Sequence, residues 1–244
     1  MRRLRVSLLL LLGACALGGC ASLPGGKHDP RDPYERFNRS IYRFNNAVDK
    51  AVIRPLAVGY VKITPAPVRT GLSNFFSNIA YPGTIVNELL QGKVTDSGRD
   101  TFRLIFNTIW GLGFFDPATG AGFEKHNEDF GLTFGHWGIH PGPYLLLPIL
   151  GPSNIRDGLG LIPDGYTNAR VYLLRNFWEE TGAWAVAALG ERADLLDQDQ
   201  ILKQAYDPYA FMRNAYLQHR DYRIHGDQAG ADADTPTLPD VPTP

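Results

Sequence analysis

The sequence predicts an all-α protein with an irregular, Gly/Pro-rich segment at its centre. Apolar residues recur at helical spacing along much of the chain, as in Tyr34, Phe37, Ile41, Phe44 and Val48. No apolar/polar alternation runs long enough to support a sheet. The third observation is the stretch from Phe130 to Ile155, which has no Asp, Glu, Lys or Arg. Gly131, Gly135, Gly138 and Gly142 loosen it, and Pro141, Pro143, Pro148 and Pro152 remove amide donors. A membrane-spanning helix needs ~20 apolar residues with an internally bonded backbone. The longest unbroken apolar piece here, Tyr144 to Leu147, is far shorter. Such a segment is an irregular core loop, a cavity lining or part of a membrane interface.

The amino terminus decides the compartment. Residues 1–19 read as a signal peptide: Arg2, Arg3 and Arg5, an apolar run from Val6 to Leu12, then small residues. The run ends Leu17-Gly18-Gly19-Cys20, which resembles the lipobox of bacterial lipoproteins. There a diacylglyceryl group is attached to the cysteine and cleavage falls just before it. Cys15, after Leu12-Gly13-Ala14, is a second candidate with a shorter apolar run. Ala21 rather than Asp follows Cys20, which by the sorting rule of such bacteria favours the outer membrane. Both cysteines lie in this leader, so the mature chain forms no disulfide and no Cys-based zinc site. Residues 20–31 are a lipidated tether. Its eleven residues after Cys20 include Pro24, Gly25, Gly26 and Pro30 and reach roughly 35–40 Å at most.

Helices follow. Asp32 as cap, Pro33 at the first position and Glu35 open one that ends before Pro55. Thr64-Pro65 opens a second through Phe76, Asn78 to Gly83 breaks it, and Thr84 to Gln91 forms a third stopped by Gly92. Thr95 to Leu112 is longer, and uncharged from Leu104 to Phe115. Ser153 caps a short helix. Tyr166 to Leu189, Arg192 to Ala205 and Pro208 to Arg223 read as helical, the last opened by Asp207-Pro208. Residues 32–225 form the folded domain, and 226–244 an acidic Pro/Thr-rich tail expected to be disordered.

Chemical motifs are sparse. No nucleophile elbow, P-loop, dinucleotide fingerprint or His-Glu-x-x-His occurs. Without Arg2, Arg3 and Arg5 the charges stand at 21 basic against 25 acidic, a net near −4, which is not a nucleic-acid binder's balance. His136 and His140 have the spacing of paired metal ligands on a helix, but Gly138 and Pro141 oppose a regular helix and no third ligand is close. Asp157 beside Arg156 is a catalytic carboxylate or, more simply, a helix-cap ion pair. Trp110, Trp137, Trp178 and Trp184 are an interfacial belt or plain core. The expectation is no enzyme, no metal and no cofactor beyond the lipid on Cys20.

A family resemblance rests on many ordered motifs: Asp32-Pro33-Tyr34-Glu35-Arg36-Phe37-Asn38-Arg39, Phe44-Asn45, Asn74-Phe75-Phe76-Ser77-Asn78, Leu89-Leu90-Gln91-Gly92, Arg103 with Asn107-Thr108, Glu128-Asp129-Phe130-Gly131, Gly142-Pro143-Tyr144, Gly151-Pro152, Arg156-Asp157, Asp207-Pro208-Tyr209 and Arg213-Asn214-Ala215-Tyr216. Together they resemble the MlaA (VacJ) lipoprotein family over roughly residues 29–222. The resemblance implies a ring of short amphipathic helices lying in the inner leaflet of the outer membrane. It implies removal of mislocalised phospholipid from the outer leaflet through a central channel, handover to a periplasmic lipid carrier, and association with a trimeric porin. On that reading Asn38, Arg39, Asn45, Asn74, Asn78 and Asn107 are candidates to hydrogen-bond a lipid headgroup, since a bare polar group costs several kcal/mol to bury. Capping and backbone bonding remain the other reading of each. Gly138 and Gly142 are candidate hinges of a gate. An envelope hydrolase and a purely structural porin-organising lipoprotein are the alternative classes.

Overall fold

The computed structural model describes residues 29–174 and 176–226; Cys20, the tether up to residue 28 and the tail beyond Gly226 lie outside them. Helix dominates. Glu35–Val48 (α1) runs through one wide π-turn at Asp49–Ile53 into Arg54–Ile63 (α2). The helix expected to end before Pro55 therefore continues. The Arg54 N–H bonds the Asp49 carbonyl, five residues back, and this widening just ahead of Pro55 accommodates a ring that has no N–H to place.

Ala66–Leu90 (α3) is a single helix of 25 residues with Pro82 inside it, where the sequence suggested two. It packs along Val94–Ile109 (α4) and Phe177–Asp194 (α9, below), and that packing outweighs one missing backbone bond. Its end follows expectation. Gly92 adopts φ 77°, with Gly92 N–H on Leu89 O and Lys93 N–H on Glu88 O, the paired bonds of a glycine-terminated helix. α4 stops at Ile109, short of Leu112, which turns left-handed at φ 51°. Pro117–Gly120 (α5) is one turn, capped by Asp116.

The uncharged centre is more ordered than its glycines suggest. Phe130–His136 (α6) is capped by Asp129, whose carboxylate accepts from Leu132 N–H. Tyr144–Leu147 (β1) then pairs antiparallel with Gly151–Asn154 (β2), in register Tyr144 to Asn154. Four-residue strands are too short for alternation to declare them, so a hairpin joins the expected all-helical class. Ile155–Thr167 (α7) is capped by Asn154, not Ser153. Arg170–Leu173 (α8), Phe177–Asp194 (α9), Asp199–Gln204 (α10) and Pro208–His225 (α11) complete the order. Asp207 caps α11 through Tyr209 and Ala210 N–H.

Burial runs opposite to that of an ordinary water-soluble protein. Among the described residues seven apolar side chains are buried, against sixteen polar or charged ones, while many large apolar residues face outward. The apolar stripe expected to bury α1 leaves Tyr34 and Phe44 half exposed, and the buried residue of that helix is Asn38. Asn38 Nδ2 donates to Tyr144 O and to Asp32 Oδ1, and its Oδ1 accepts from Leu146 N–H. Seven residues on, the same face presents Asn45, which donates to Leu147 O and accepts from Ile149 N–H. The two amides close the free edge of β1. Across the hairpin Leu146 faces Pro152, which has no N–H to offer. Asp32, expected as a helix cap, is instead fully buried and also takes the Tyr209 hydroxyl at 2.5 Å and Arg213 Nη1 at 3.1 Å.

A second buried polar layer joins α6, α7 and α11. Asp157 accepts from Arg156 Nε, Asn154 Nδ2 and the Tyr216 hydroxyl, and pairs with Arg220 at 2.9 Å. That is the ion-pair reading of Asp157, and Arg220 extends it to Asp129. α6 and α7 approach closely: a Cβ on Gly160 would stand 2.6 Å from Gly131 N. Asp164 of α7 accepts the first amide of α6, from Phe130, at 3.0 Å. Burial nonetheless pushes the Asp164 carboxyl up to about 6.

Two expectations follow. Asn38→Ala leaves buried donors and acceptors unpaired, each worth about 1–3 kcal/mol, so it should destabilise by about 3 kcal/mol or more. Asn45→Ala, whose partners reach solvent at the hairpin turn, should cost about 1 kcal/mol. Denaturant unfolding in detergent checks this; equal losses would refute the clamp. For Asp164, the folded chain holds a proton between the unfolded carboxyl's pKa and about 6 that the unfolded chain has released. Its stability therefore falls as pH rises through that window. Asp164→Asn keeps the acceptor, should flatten that slope, and should raise stability at neutral pH by about 1 kcal/mol after allowance for solvent screening. Thermal unfolding from pH 4.5 to 7.5 reads it, and an unchanged slope contradicts it.

Candidate functional site

Helix α9 separates two cavities. The first, about 500 Å³, is surrounded by Tyr60 of α2, a face of α3 from Leu72 to Thr84, the segment Lys125–Glu128, Asp164 and Thr167 of α7, Arg170 of α8, and α9. Its wall carries Lys125, His126, Asp164, Arg170 and Glu191. The second, about 1000 Å³, lies between α1, the hairpin turn, α9, α10 and α11, and Leu56, Val186, Leu189, Leu202, Phe211 and Met212 give it an apolar wall. Trp184, Val186, Ala188 and Glu191 border both. α9 accordingly has no fully buried residue, as expected of a helix with open space on two sides.

The ionisable groups of the first cavity register that they are poorly solvated. Burial lowers the Lys125 ammonium from its usual range, pushes the Glu191 carboxyl up, and pushes Asp164 up. Arg170 Nε is buried with no hydrogen-bond partner among the described residues. A polar or anionic group entering here would meet the Lys125 and Arg170 side chains of the wall, while an attached apolar chain could lie across α9 in the larger space.

The six headgroup candidates fall elsewhere. Asn38 and Asn45 hold β1, and only Asn45 borders one of the two large cavities, the apolar one. Arg39 is held by Glu35 and Asp207 and lies over the Tyr209 ring. Asn74 donates to Phe114 O; Asn107 holds Asp116 and the Ala118 amide, beside the Arg103–Asp116 ion pair. Asn74, Asn78 and Asn107 meet only in a space of about 10 Å³, room for about one water. Gly138 and Gly142 both adopt left-handed backbone, φ 82° and 68°, and border neither large cavity; Ile149 of the hairpin turn and Gly151 and Pro152 of β2 do. His140 Nδ1 accepts from Gly142 N–H, and neither His136 nor His140 belongs to the group of three potential ligands found among the described residues. All four tryptophans are exposed, which excludes the core reading. The cavity residues Lys125, Asp164, Arg170 and Glu191 escaped the sequence reading because no spacing joins them; four elements bring them together.

Comparison with known proteins agrees with this architecture. The family model described as MlaA lipoprotein matches residues 30–223. The intermembrane phospholipid transport system lipoprotein MlaA of Escherichia coli K12 is 38% identical over 230 residues, covering 92% of this chain and 90% of that one. Its Haemophilus influenzae counterpart is 33% identical over 230 residues, covering 89% and 90%. A solved structure described as the structural basis for maintenance of bacterial outer membrane lipid asymmetry superposes with a TM-score of 0.72 at 37% identity, over 79% of this chain and 98% of that one. This chain is therefore a member of the MlaA lipoprotein family.

Proposed function

We propose that this protein is an outer-membrane lipoprotein that withdraws mislocalised phospholipid from the outer leaflet and passes it to a periplasmic carrier, without catalysing a reaction. The observation that carries this reading is α9, with a polar-walled cavity on one side and an apolar one on the other. A phospholipid has the same division, and it needs both a hydrogen-bonding path for its headgroup and an apolar one for its chains. The Escherichia coli relative is a lipoprotein of an intermembrane phospholipid transport system, which supports the same reading.

The exterior supports a placement in one leaflet. No described helix is long and apolar enough to cross a membrane. Yet Trp110, Leu112 and Phe115 after α4, and Leu159 and Ile162 on α7, are more than half exposed. A helical ring seated in one leaflet, anchored by lipid on Cys20, gives those side chains an apolar environment. The partners are phospholipid, the outer membrane, a trimeric porin and a soluble periplasmic lipid carrier. Gly138 and Gly142 are the hinges of a gate formed by the segment Gly138 to Pro143, between α6 and the hairpin.

Deletion of the gene should raise outer-leaflet phospholipid, measured by surface labelling, and the wild-type copy should restore it. Ala188→Trp, which fills both cavities from their shared wall, should fail to restore asymmetry at normal protein level. Unchanged asymmetry on deletion, with porin still copurifying, would replace transport by a structural role. Full restoration by Ala188→Trp would remove α9 from the path. Cys20→Ala should abolish incorporation of labelled fatty acid; label persisting on the variant would move the anchor to Cys15.

A further inference from the structure

Beside the polar cavity, three elements bring two buried carboxyl groups up to His126 of its wall. Glu88 lies near the end of α3, Asp100 on α4, and His126 on the segment leading to α6. Their ligand atoms all lie within 4.8 Å of one another. His126 Nδ1 stands 3.1 Å from Asp100 Oδ2 and 3.4 Å from Glu88 Oε1. The side chains of Glu88 and Asp100 are 1% and 0% exposed, and each has one oxygen, Glu88 Oε2 and Asp100 Oδ1, with no hydrogen-bond partner. Two buried carboxyl groups with orphaned oxygens need a proton held within the cluster or else a positive partner. The neighbouring cations do not provide it: Arg103 is engaged by Asp116 and by Phe123 O, and Lys93 by Glu128.

We propose that Glu88, Asp100 and His126 form a binding site for a divalent transition cation of the zinc class. Imidazole nitrogen with carboxylate oxygen is a donor set that zinc accepts, and three protein ligands with one open position are a common arrangement for it. Tetrahedral bonds of ~2.1 Å set ligand atoms roughly 3.4 Å apart, close to the two histidine–carboxylate distances here. Calcium, which takes six or more oxygens, is poorly matched by this set. The supporting shell is in place. The Tyr81 hydroxyl sits beside Asp100 and accepts the His126 backbone N–H at 3.3 Å. His126 also borders the polar cavity, which leaves the open coordination position on that side. A bound ion would tie α3, α4 and the strand of chain before α6 into one rigid wall of that cavity.

The experiment uses the full lipoprotein in detergent, freed of any affinity tag, stripped with EDTA and dialysed against limiting Zn²⁺. Metal analysis should find about one zinc per chain, and zinc should raise the unfolding temperature. Glu88→Gln and His126→Gln should each weaken binding at least about tenfold and abolish the thermal shift. The second variant alters a partly exposed side chain, so it keeps the test decisive if the first fails to fold. Zinc held equally by the wild type and His126→Gln, or no zinc-dependent shift in the wild type, would overturn the site and leave a carboxyl pair joined by a shared proton.

Discussion

The constraint on which this structure depends is the pairing of polar groups inside a shell whose outside is apolar. The amide of Asn38 is its clearest expression. It fills both edges of a gap, donating to the Tyr144 carbonyl and accepting the Leu146 amide while also meeting Asp32. A two-stranded hairpin is marginal alone and exposes unpaired backbone. Here the side chains of a helix take the place of a third strand. Once Asn38 fixes β1 against α1, Asp32 fixes α11 through Tyr209 and Arg213, and β2 leads straight into the Asn154 cap of α7. The hairpin, three helices and the entry segment are thus fixed by one buried cluster rather than by an apolar core.

Such a fold suits an environment that supplies no hydrophobic gain for burying apolar side chains. In a leaflet, exposed leucines and tryptophans cost nothing, and specificity must come from hydrogen bonds and ion pairs within. The buried Arg156, Asp157, Arg213 and Arg103 would be unusual at the centre of a water-soluble domain. Here each is matched by a partner, as with the Asp29 carboxyl, which Arg31 and Arg213 hold down at about 2. The interior is polar, and α9 is the place where that interior meets apolar space.

The sequence made the helical class legible, because spacing and end signals such as Gly92 and Asp207 are local properties. It made the breaks less legible. Pro55 and Pro82 read as stops, since nothing local reveals the π-turn before one or the packing of α3 that carries the other. The four-residue strands lie below the length at which alternation is visible. The motif asparagines were conspicuous, but their partners are not: Asn38 reaches Leu146 across more than a hundred positions. The same distance hid Lys125, Arg170 and Glu191 as neighbours around one cavity, and Glu88, Asp100 and His126 as neighbours around one point. Spacing identifies ligands only when one element carries them.

The glycines of the uncharged stretch show how a local reading inverts in context. Gly131 and Gly135 are one helical turn apart on α6, and they tighten the structure. A Cβ on Gly131 would stand 2.9 Å from Asp157 Cα and 2.5 Å from Arg220 Nη2; one on Gly135 would stand 2.5 Å from Ile224 Cδ1 and 2.8 Å from Arg156 Nη1. The uncharged helix is therefore the surface against which the charged layer of α7 and α11 closes, and it contributes contact rather than charge. Gly138 differs: it is left-handed and no atom approaches the place of its Cβ. Gly138 N–H bonds Gly135 O and Ile139 N–H bonds Phe134 O, the same glycine-terminated stop as at Gly92, where the chain leaves α6 for the hairpin. One uncharged run holds a glycine face that locks two helices and a glycine that ends one of them. Composition cannot separate these roles, because they differ in what lies opposite and not in the residue itself.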